Sequence, residues 1–534
     1  MKDAGKFILN GLMLSAVSLI LRTAGVSFNA YVTSEIGAAG TGLFTLVMSV
    51  YSPALTLATA GVNLAVSRLT AEELGKGNAV SARSVLKKTI LYSLGVSGTV
   101  GIILMLLSDY ISSSWLGNAS ASQLLRMLAL GLPFSALSSA ASGYFTAVRR
   151  VSRNAAVQLL EQFFKIAITV FALSRVISRG SIACLAVVVF CSCAADAFSC
   201  ILLLILCRRD SVKLGEGGKR EKGIMKRILN ITLPVSVSSF LRSGLVALEH
   251  ILIPKGLKKS GVSYDAAMSS YGTLSGMAMP IIMFPASFLY SFSGLLIPEF
   301  AEANERKNQK EIRSIAVKVI RTVLIFSIGA AGILLGFSYD LGMSIYGSKE
   351  AARYIMIMAP LIPVMYLDTA VDSILKGLGE QVWTMKVNIA DAFISVLAVW
   401  LLVPALGLDG YIIIIFASEI FNFSFSIYRL TVITGLDVKL FRQAALPLLS
   451  ICGAVSGVKL ISHITSEIPQ GTALSAAAGI SSSAAFYFLL LILLGAVPKN
   501  LPYRVVKKIC RALPRKDVAE SKTKEKKGGR ELCR

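Results

Sequence analysis

Two arginines stand near the middle of long apolar stretches, 220 positions apart, in matching surroundings. Leu9-Asn10 is followed twelve residues later by Leu21-Arg22, and Leu229-Asn230 is followed twelve residues later by Leu241-Arg242. A guanidinium at bilayer depth is costly, and ionisable side chains held there mark substrate or ion paths. Arginine also offers a planar fork of donors that matches phosphate with two parallel hydrogen bonds. Arg22 and Arg242 therefore read as a cationic site shared by two halves of one chain and suited to an anionic cargo. Arg68, leaving the second apolar stretch, either helps collect an anionic headgroup at the membrane surface or simply anchors its helix there. Glu249 lies two turns beyond Arg242 on the same helical face. It reads as a salt-bridge partner of Arg242 or as a proton or cation site.

The remaining charges at depth have plainer readings. Glu161 with Lys165, and Asp372 with Lys376, are spaced i, i+4 and are expected to neutralise each other along one helix. Asp196, Asp368, Asp391 and Glu419 have no cation nearby in sequence and are candidates for coupling to a proton or sodium gradient. Five of the eight cysteines (Cys184, Cys191, Cys193, Cys200 and Cys207) fall along one helix without metal-type spacing, and read as small packing residues. The two histidines, His250 and His463, make no paired-ligand motif. Gly215-Glu-Gly-Gly-Lys219 lacks the frame of a phosphate-binding loop, so no nucleotide, metal or other cofactor is expected.

These residues must be held by membrane-spanning helices. Of 534 residues, 54% are hydrophobic and only 16% charged, and the mean hydropathy is +0.69, which excludes a soluble domain. Stretches able to cross the ~30 Å hydrocarbon core read as about fourteen spans: 7–33, 42–67, 89–109, 123–147, 155–177, 181–206, 228–253, 266–297, 316–338, 351–375, 387–404, 410–430, 443–465 and 471–497. The strand alternation of a membrane barrel is absent, so the class is all-α and polytopic. Pro280 and Pro285 make the long eighth span the expected bend.

A net charge of +24 would suit nucleic acid if it were clustered on one soluble face. Instead 42 of the 54 lysines and arginines fall on the ends and loops of one side and about 8 on the other. That bias places both termini in the cytoplasm of a multi-pass plasma-membrane protein. It leaves no nucleic-acid partner. The basic tail, 499–534, is expected to lie on anionic inner-leaflet lipids.

A second set of matches, at an offset of 230, pairs Arg83-Ser84 with Arg313-Ser314, Gly117 with Gly347 and Pro133 with Pro363. The expected organisation is a six-helix lobe with its cytoplasmic linker over 1–226, a second six-helix lobe over 227–442, extra spans over 443–498 and the tail over 499–534. Because six is even, the lobes enter the membrane in the same sense and form a parallel repeat.

Fourteen spans as six, six and two resemble the multidrug/oligosaccharidyl-lipid/polysaccharide (MOP) flippase superfamily. The residues that carry the resemblance are Arg22-Thr-Ala-Gly25 through Glu35-Ile-Gly-Ala-Ala-Gly-Thr-Gly42, Gly61-Val-Asn-Leu-Ala-Val-Ser-Arg68, Leu248-Glu-His-Ile-Leu-Ile-Pro254 and Gly377-Leu-Gly-Glu380. The chain looks most like the polysaccharide-transporter branch, with lipid II flippases as cousins. The resemblance implies a V-shaped pair of lobes, alternating access and flipping of undecaprenyl-pyrophosphate-linked oligosaccharide for wall, spore-cortex or capsule, and the chain is expected to act as a monomer. Arg22, Arg242, Arg68 and Glu249 would then be its substrate-binding residues, with coupling to a proton or sodium gradient or to the membrane potential. A cation-coupled drug exporter of the same superfamily is the alternative. A membrane-embedded glycan polymerase or ligase fits less well, because the outer loops are short and carry no catalytic constellation.

Overall fold

In hydrocarbon every backbone N–H and C=O must be satisfied within its own segment, and the α-helix does this. The structure, a computed structural model, describes residues 2–176, 180–212, 217, 223–436, 440–465 and 472–496. Among them 91% are helical and none lies in a strand. The linker segment 213–222, apart from Gly217, and the basic tail lie outside the described residues.

Among the described residues, eleven helical stretches are long and apolar enough to cross a membrane. Two of these are hairpins. Gly37 takes φ 74° and ψ 174°, a region open essentially to glycine alone, and the chain reverses there. Thr41 Oγ1 donates to Thr33 Oγ1 at 3.3 Å, whereas a continuous helix would hold residues eight apart at about 12 Å. Gly407 makes the second reversal, at φ 63° and ψ −142°. Ser418 and Asn422 then reach back to donate to Asp391 at 2.9 and 2.8 Å.

The order consistent with the expected spans is α1 (2–36), α2 (38–75), α3 (Ala79–Tyr110), α4 (Ala121–Ala147), α5 (Val151–Leu173), α6 (Ser181–Val212) and α7 (Ile224–Lys259). It continues as α8 (264–305), α9 (309–346), α10 (349–377), α11 (381–406), α12 (408–434), α13 (Leu440–Thr465) and α14 (Ala473–Leu493). α3 starts ten residues earlier than hydropathy indicates, because Asn78 caps it by accepting from the Ser81 amide at 3.2 Å. Hydropathy registers where the membrane ends, not where the helix does. α8 is broken as its prolines imply: Tyr264–Gly272, a π-helical turn Thr273–Ala278, Met279–Met283, then Ala286–Glu305.

The repeat is written into the backbone. Left-handed residues recur at an offset of 230: Gly77 and Lys307, Gly117 and Gly347, Arg149 and Gly379. Asn308 caps α9 by accepting from the Glu311 amide, as Asn78 caps α3. α13 and α14 dock on α9 through its glycines. A Cβ added at Gly329 would sit 2.5 Å from Tyr487, at Gly332 2.3 Å from Ile451 and at Gly336 2.5 Å from Val455. Small residues permit this approach where lipid offers no hydrophobic drive between helices.

One face of the bundle carries the ends of α2, α4, α6, α10 and α12, and the other the ends of α1, α3, α5, α7 and α9. The first is the basic face of the sequence. Cysteine introduced at Lys310, exposed on that face, should react with an impermeant thiol reagent only after permeabilisation, in a background without native cysteines. Cysteine at the exposed Ser260 on the opposite face should react in intact cells. The reverse pattern would invert the topology.

Candidate functional site

α2 meets the second half at two points where backbone touches backbone. On the opposite face a Cβ at Gly42 would lie 2.1 Å from the Met268 carbonyl oxygen, and one at Gly272 would lie 2.2 Å from that of Ala38. On the basic side a Cβ at Gly61 would lie 2.9 Å from the Thr232 backbone, and Ser236 Oγ donates to the Ala60 carbonyl at 2.5 Å. Between these pins α2 and α7 part and leave a cleft of about 520 Å³. Thr45, Ser49, Ser52 and Thr56 line it from α2, and Ser239, Arg242, Ser243, Val246 and His250 from α7. Both sets follow helical spacing, so each helix presents one polar stripe to the other.

The hydroxyls of Thr45 and Ser49 donate to carbonyls of their own helix, Thr41 at 2.9 Å and Leu46 at 2.7 Å. Their lone pairs stay free to accept from a ligand. Arg242 is accessible. Its Nη2 lies 3.4 Å from Asn388 Oδ1 on α11, and Asp391 is within electrostatic reach. No carboxylate pairs with it among the described residues. His250 Nδ1 and the Tyr271 hydroxyl, 2.7 Å apart, close the end nearer the opposite face. The cleft thus combines an accessible guanidinium with a row of hydroxyl acceptors, a lining for an anionic, hydroxyl-rich ligand.

Arg22 is also accessible and without an ion pair among the described residues. It is not in this lining. Its guanidinium lies 5.7 Å from the Tyr290 ring on α8, a cation–π contact that reaches from the first half to the second. Each arginine therefore faces an element of the other half, but the structure does not put both into one cleft. Glu249 does not pair with Arg242. Seven residues correspond to about 10.5 Å of helix rise, and Glu249 instead lies within electrostatic reach of Asp391 and Tyr411 inside the second half.

Arg68 joins an ionic network on the basic face. Its Nε donates to Glu72 at 2.9 Å, Arg227 binds Glu72 at 2.6 Å and Glu73 at 2.9 Å, and Lys76 lies 3.3 Å from Glu73. This network ties the end of α2 to the start of α7. The sequence signal for it was two adjacent glutamates in an otherwise basic loop. Of the other charges, Lys376 pairs with Asp372 at 3.4 Å as expected. Lys165 makes no ion pair with Glu161 among the described residues and sits 5.6 Å from the Phe28 ring. Asp196 accepts from Ser135 at 2.8 Å.

The fold is shared with solved membrane transporters, one of them described as a multidrug transporter of the MOP superfamily. The inward closed conformation of the lipid II flippase MurJ matches 90% of this chain and 98% of its own, with a TM-score of 0.67 at 11% identity. An inward-facing multidrug resistance MATE transporter matches 79% of this chain and all of its own, with a TM-score of 0.55 at 14% identity. The sequence profile described as Polysaccharide biosynthesis protein matches residues 8–304, more than half of the chain, and the chain belongs to that family. A MatE profile matches residues 261–401. Stage V sporulation protein B of Bacillus subtilis is 24% identical over 462 residues, 84% of this chain and 88% of its own length. The lipid II flippase MurJ of the same organism is 21% identical over 448 residues, 77% and 80% of the two chains.

The ionic network at the basic face and the glycine contact at the opposite face should act as separable gates. With cysteine at Ser49 as reporter, Arg227→Ala should raise labelling from the basic side about two- to fivefold, the worth of partly exposed ion pairs. Gly272→Val cannot keep its contact with Ala38 and should raise labelling from the opposite side. Accessibility unchanged in both variants would show that neither contact controls entry.

Proposed function

We propose that the protein moves a lipid-anchored, pyrophosphate-linked oligosaccharide across a bacterial cell membrane, from the basic, cytoplasmic face to the opposite one. The observation that carries this reading is Arg242, an accessible guanidinium with no ion pair among the described residues, in a hydroxyl-lined cleft at the seam of two halves. The guanidinium suits the phosphate and the hydroxyls suit the sugar, while the lipid tail remains in the bilayer. Arg22, over Tyr290 of α8, lies on the same seam and receives the phosphate in a second posture. The flippase relatives and the polysaccharide family support this cargo class, and the protein acts as a transporter rather than an enzyme.

Rocking of the halves about the seam moves the cleft from one face to the other. An anion leaving a cytoplasm held at negative potential gains about 2.3 kcal/mol per charge per 100 mV, so the membrane potential alone favours export. The carboxylates Asp196, Asp368, Asp391 and Glu419, and Glu249 beside Asp391, are the groups through which a proton or sodium gradient would add to this. We take the transporter to act as a monomer, its basic tail on anionic inner-leaflet lipid. The MatE profile and the MATE structures support cation-coupled export of a small drug as the second reading.

Flipping of undecaprenyl-pyrophosphate-linked glycan in proteoliposomes distinguishes the two. Transport should accelerate when the potential is negative on the basic side. Arg242→Ala should lower it at least tenfold, the worth of a charge-assisted phosphate contact of about 1.5–3 kcal/mol. Arg242→Lys should restore it in part, because a point charge does not reproduce the fork. Full flipping by an Arg22→Ala, Arg242→Ala double variant, or drug efflux without glycan flipping, would overturn the assignment.

A further inference from the structure

A second cavity lies on the flank of the first half, away from the seam. At the basic face α5 and α6 part around a volume of about 400 Å³ whose inner walls include Leu160, Leu202 and Leu206 and whose mouth carries Arg153, Arg209 and Asp210. The mouth holds more positive charge than its carboxylate can answer. Asp210, 1% exposed, is shared by Arg150 and by Arg153 at 2.6 Å, and also accepts from the Tyr144 hydroxyl at 3.2 Å. The neighbouring Arg208 and Arg209 are exposed and make no ion pair among the described residues. The cavity is open to the outside along Leu160, which is 52% exposed, and the surface around it is apolar yet uncovered: Phe163 is 57% exposed, Ile201 57% and Ile205 45%. In a membrane those side chains meet hydrocarbon, so the cleft opens to acyl chains along its length and to headgroups at its mouth.

We propose that this cleft is a binding site for an anionic phospholipid of the leaflet at the basic face. The phosphodiester sits between Arg209 and Arg153, and one acyl chain lies between α5 and α6 against Leu160, Leu202 and Leu206. Basic pockets between spanning helices at this level recognise anionic headgroups. A zwitterionic lipid would bring an ammonium into a mouth already in positive excess, which sets the preference. The occupant is a resident lipid rather than the transported one, because the cavity shares no lining residue with the cleft between α2 and α7 and involves one half only.

The experiment uses the full chain, purified and exposed to phosphatidylglycerol or phosphatidylcholine bearing a photoreactive group in one acyl chain. Phosphatidylglycerol should cross-link to peptides covering 156–160 and 202–206, and native mass spectrometry should show it retained over phosphatidylcholine. Arg209→Gln, at an exposed position outside the ion pairs, should weaken retention about fivefold. Leu206→Trp, which fills the cavity, should abolish the cross-link without lowering the melting temperature measured in detergent. A wild-type cross-link that maps elsewhere, or equal retention of the two lipids, overturns the proposal. So does displacement of phosphatidylglycerol by undecaprenyl pyrophosphate at equal concentration, which would make this a cargo site. If Leu206→Trp fails to fold, the Arg209→Gln comparison and the wild-type cross-link map still decide the matter.

Discussion

The approach of one backbone to another at Gly42 and Gly61 governs the geometry of the seam. Because α2 touches α8 at one end and α7 at the other with no side chain between, the space available to a ligand is confined to the turns from Thr45 to Thr56. A larger residue at either glycine would lengthen the gap and remove the constriction that bounds the cleft. The hydroxyl stripe and Arg242 acquire meaning from this confinement. Spread over an open surface they would be ordinary polar groups at a helix contact.

The same constraint makes the charges intelligible. An arginine on an isolated helix at mid-membrane costs roughly 2.5–3.5 kcal/mol on insertion scales, and pairing with a carboxylate is the usual relief. Arg242 makes no ion pair among the described residues and has only Asp391 within electrostatic reach, next to Asn388 and hydroxyls. Arg227 is treated oppositely, spending its donors on Glu72 and Glu73. One cation is kept available and the other is committed to closing the structure, although both belong to α7. The positions of their neighbours, rather than the residue type, separate the two roles.

How much of this was legible beforehand follows from the physics of each feature. Spans were legible because hydrocarbon thickness sets their length, and the repeat was legible because Gly117/Gly347 and Arg83/Arg313 recur at one offset. The start of α3 and the end of α6 were not, since both helices continue beyond their apolar stretches, where hydropathy falls silent. Arg242 stood out as a charge among apolar residues. Thr45, Ser49, Ser52 and Thr56 did not, because hydroxyls at helical spacing also serve close packing and only the partner helix distinguishes the two. Pairing Arg227 with glutamates more than 150 positions away required the fold itself. Glu249 was misplaced beside Arg242 because sharing a face does not bring residues two turns apart into contact.

The docking of α13 and α14 into the glycines of α9 makes the two halves mechanically unequal. The second half carries this ballast, with Tyr487 seated on Gly329 and its hydroxyl bonded to the Ile325 carbonyl at 2.8 Å. The first half has no counterpart of α13 and α14 among the described residues. In the rocking proposed above, drag scales with the cross-section swept through the bilayer, and the smaller first half would do more of the moving than the second.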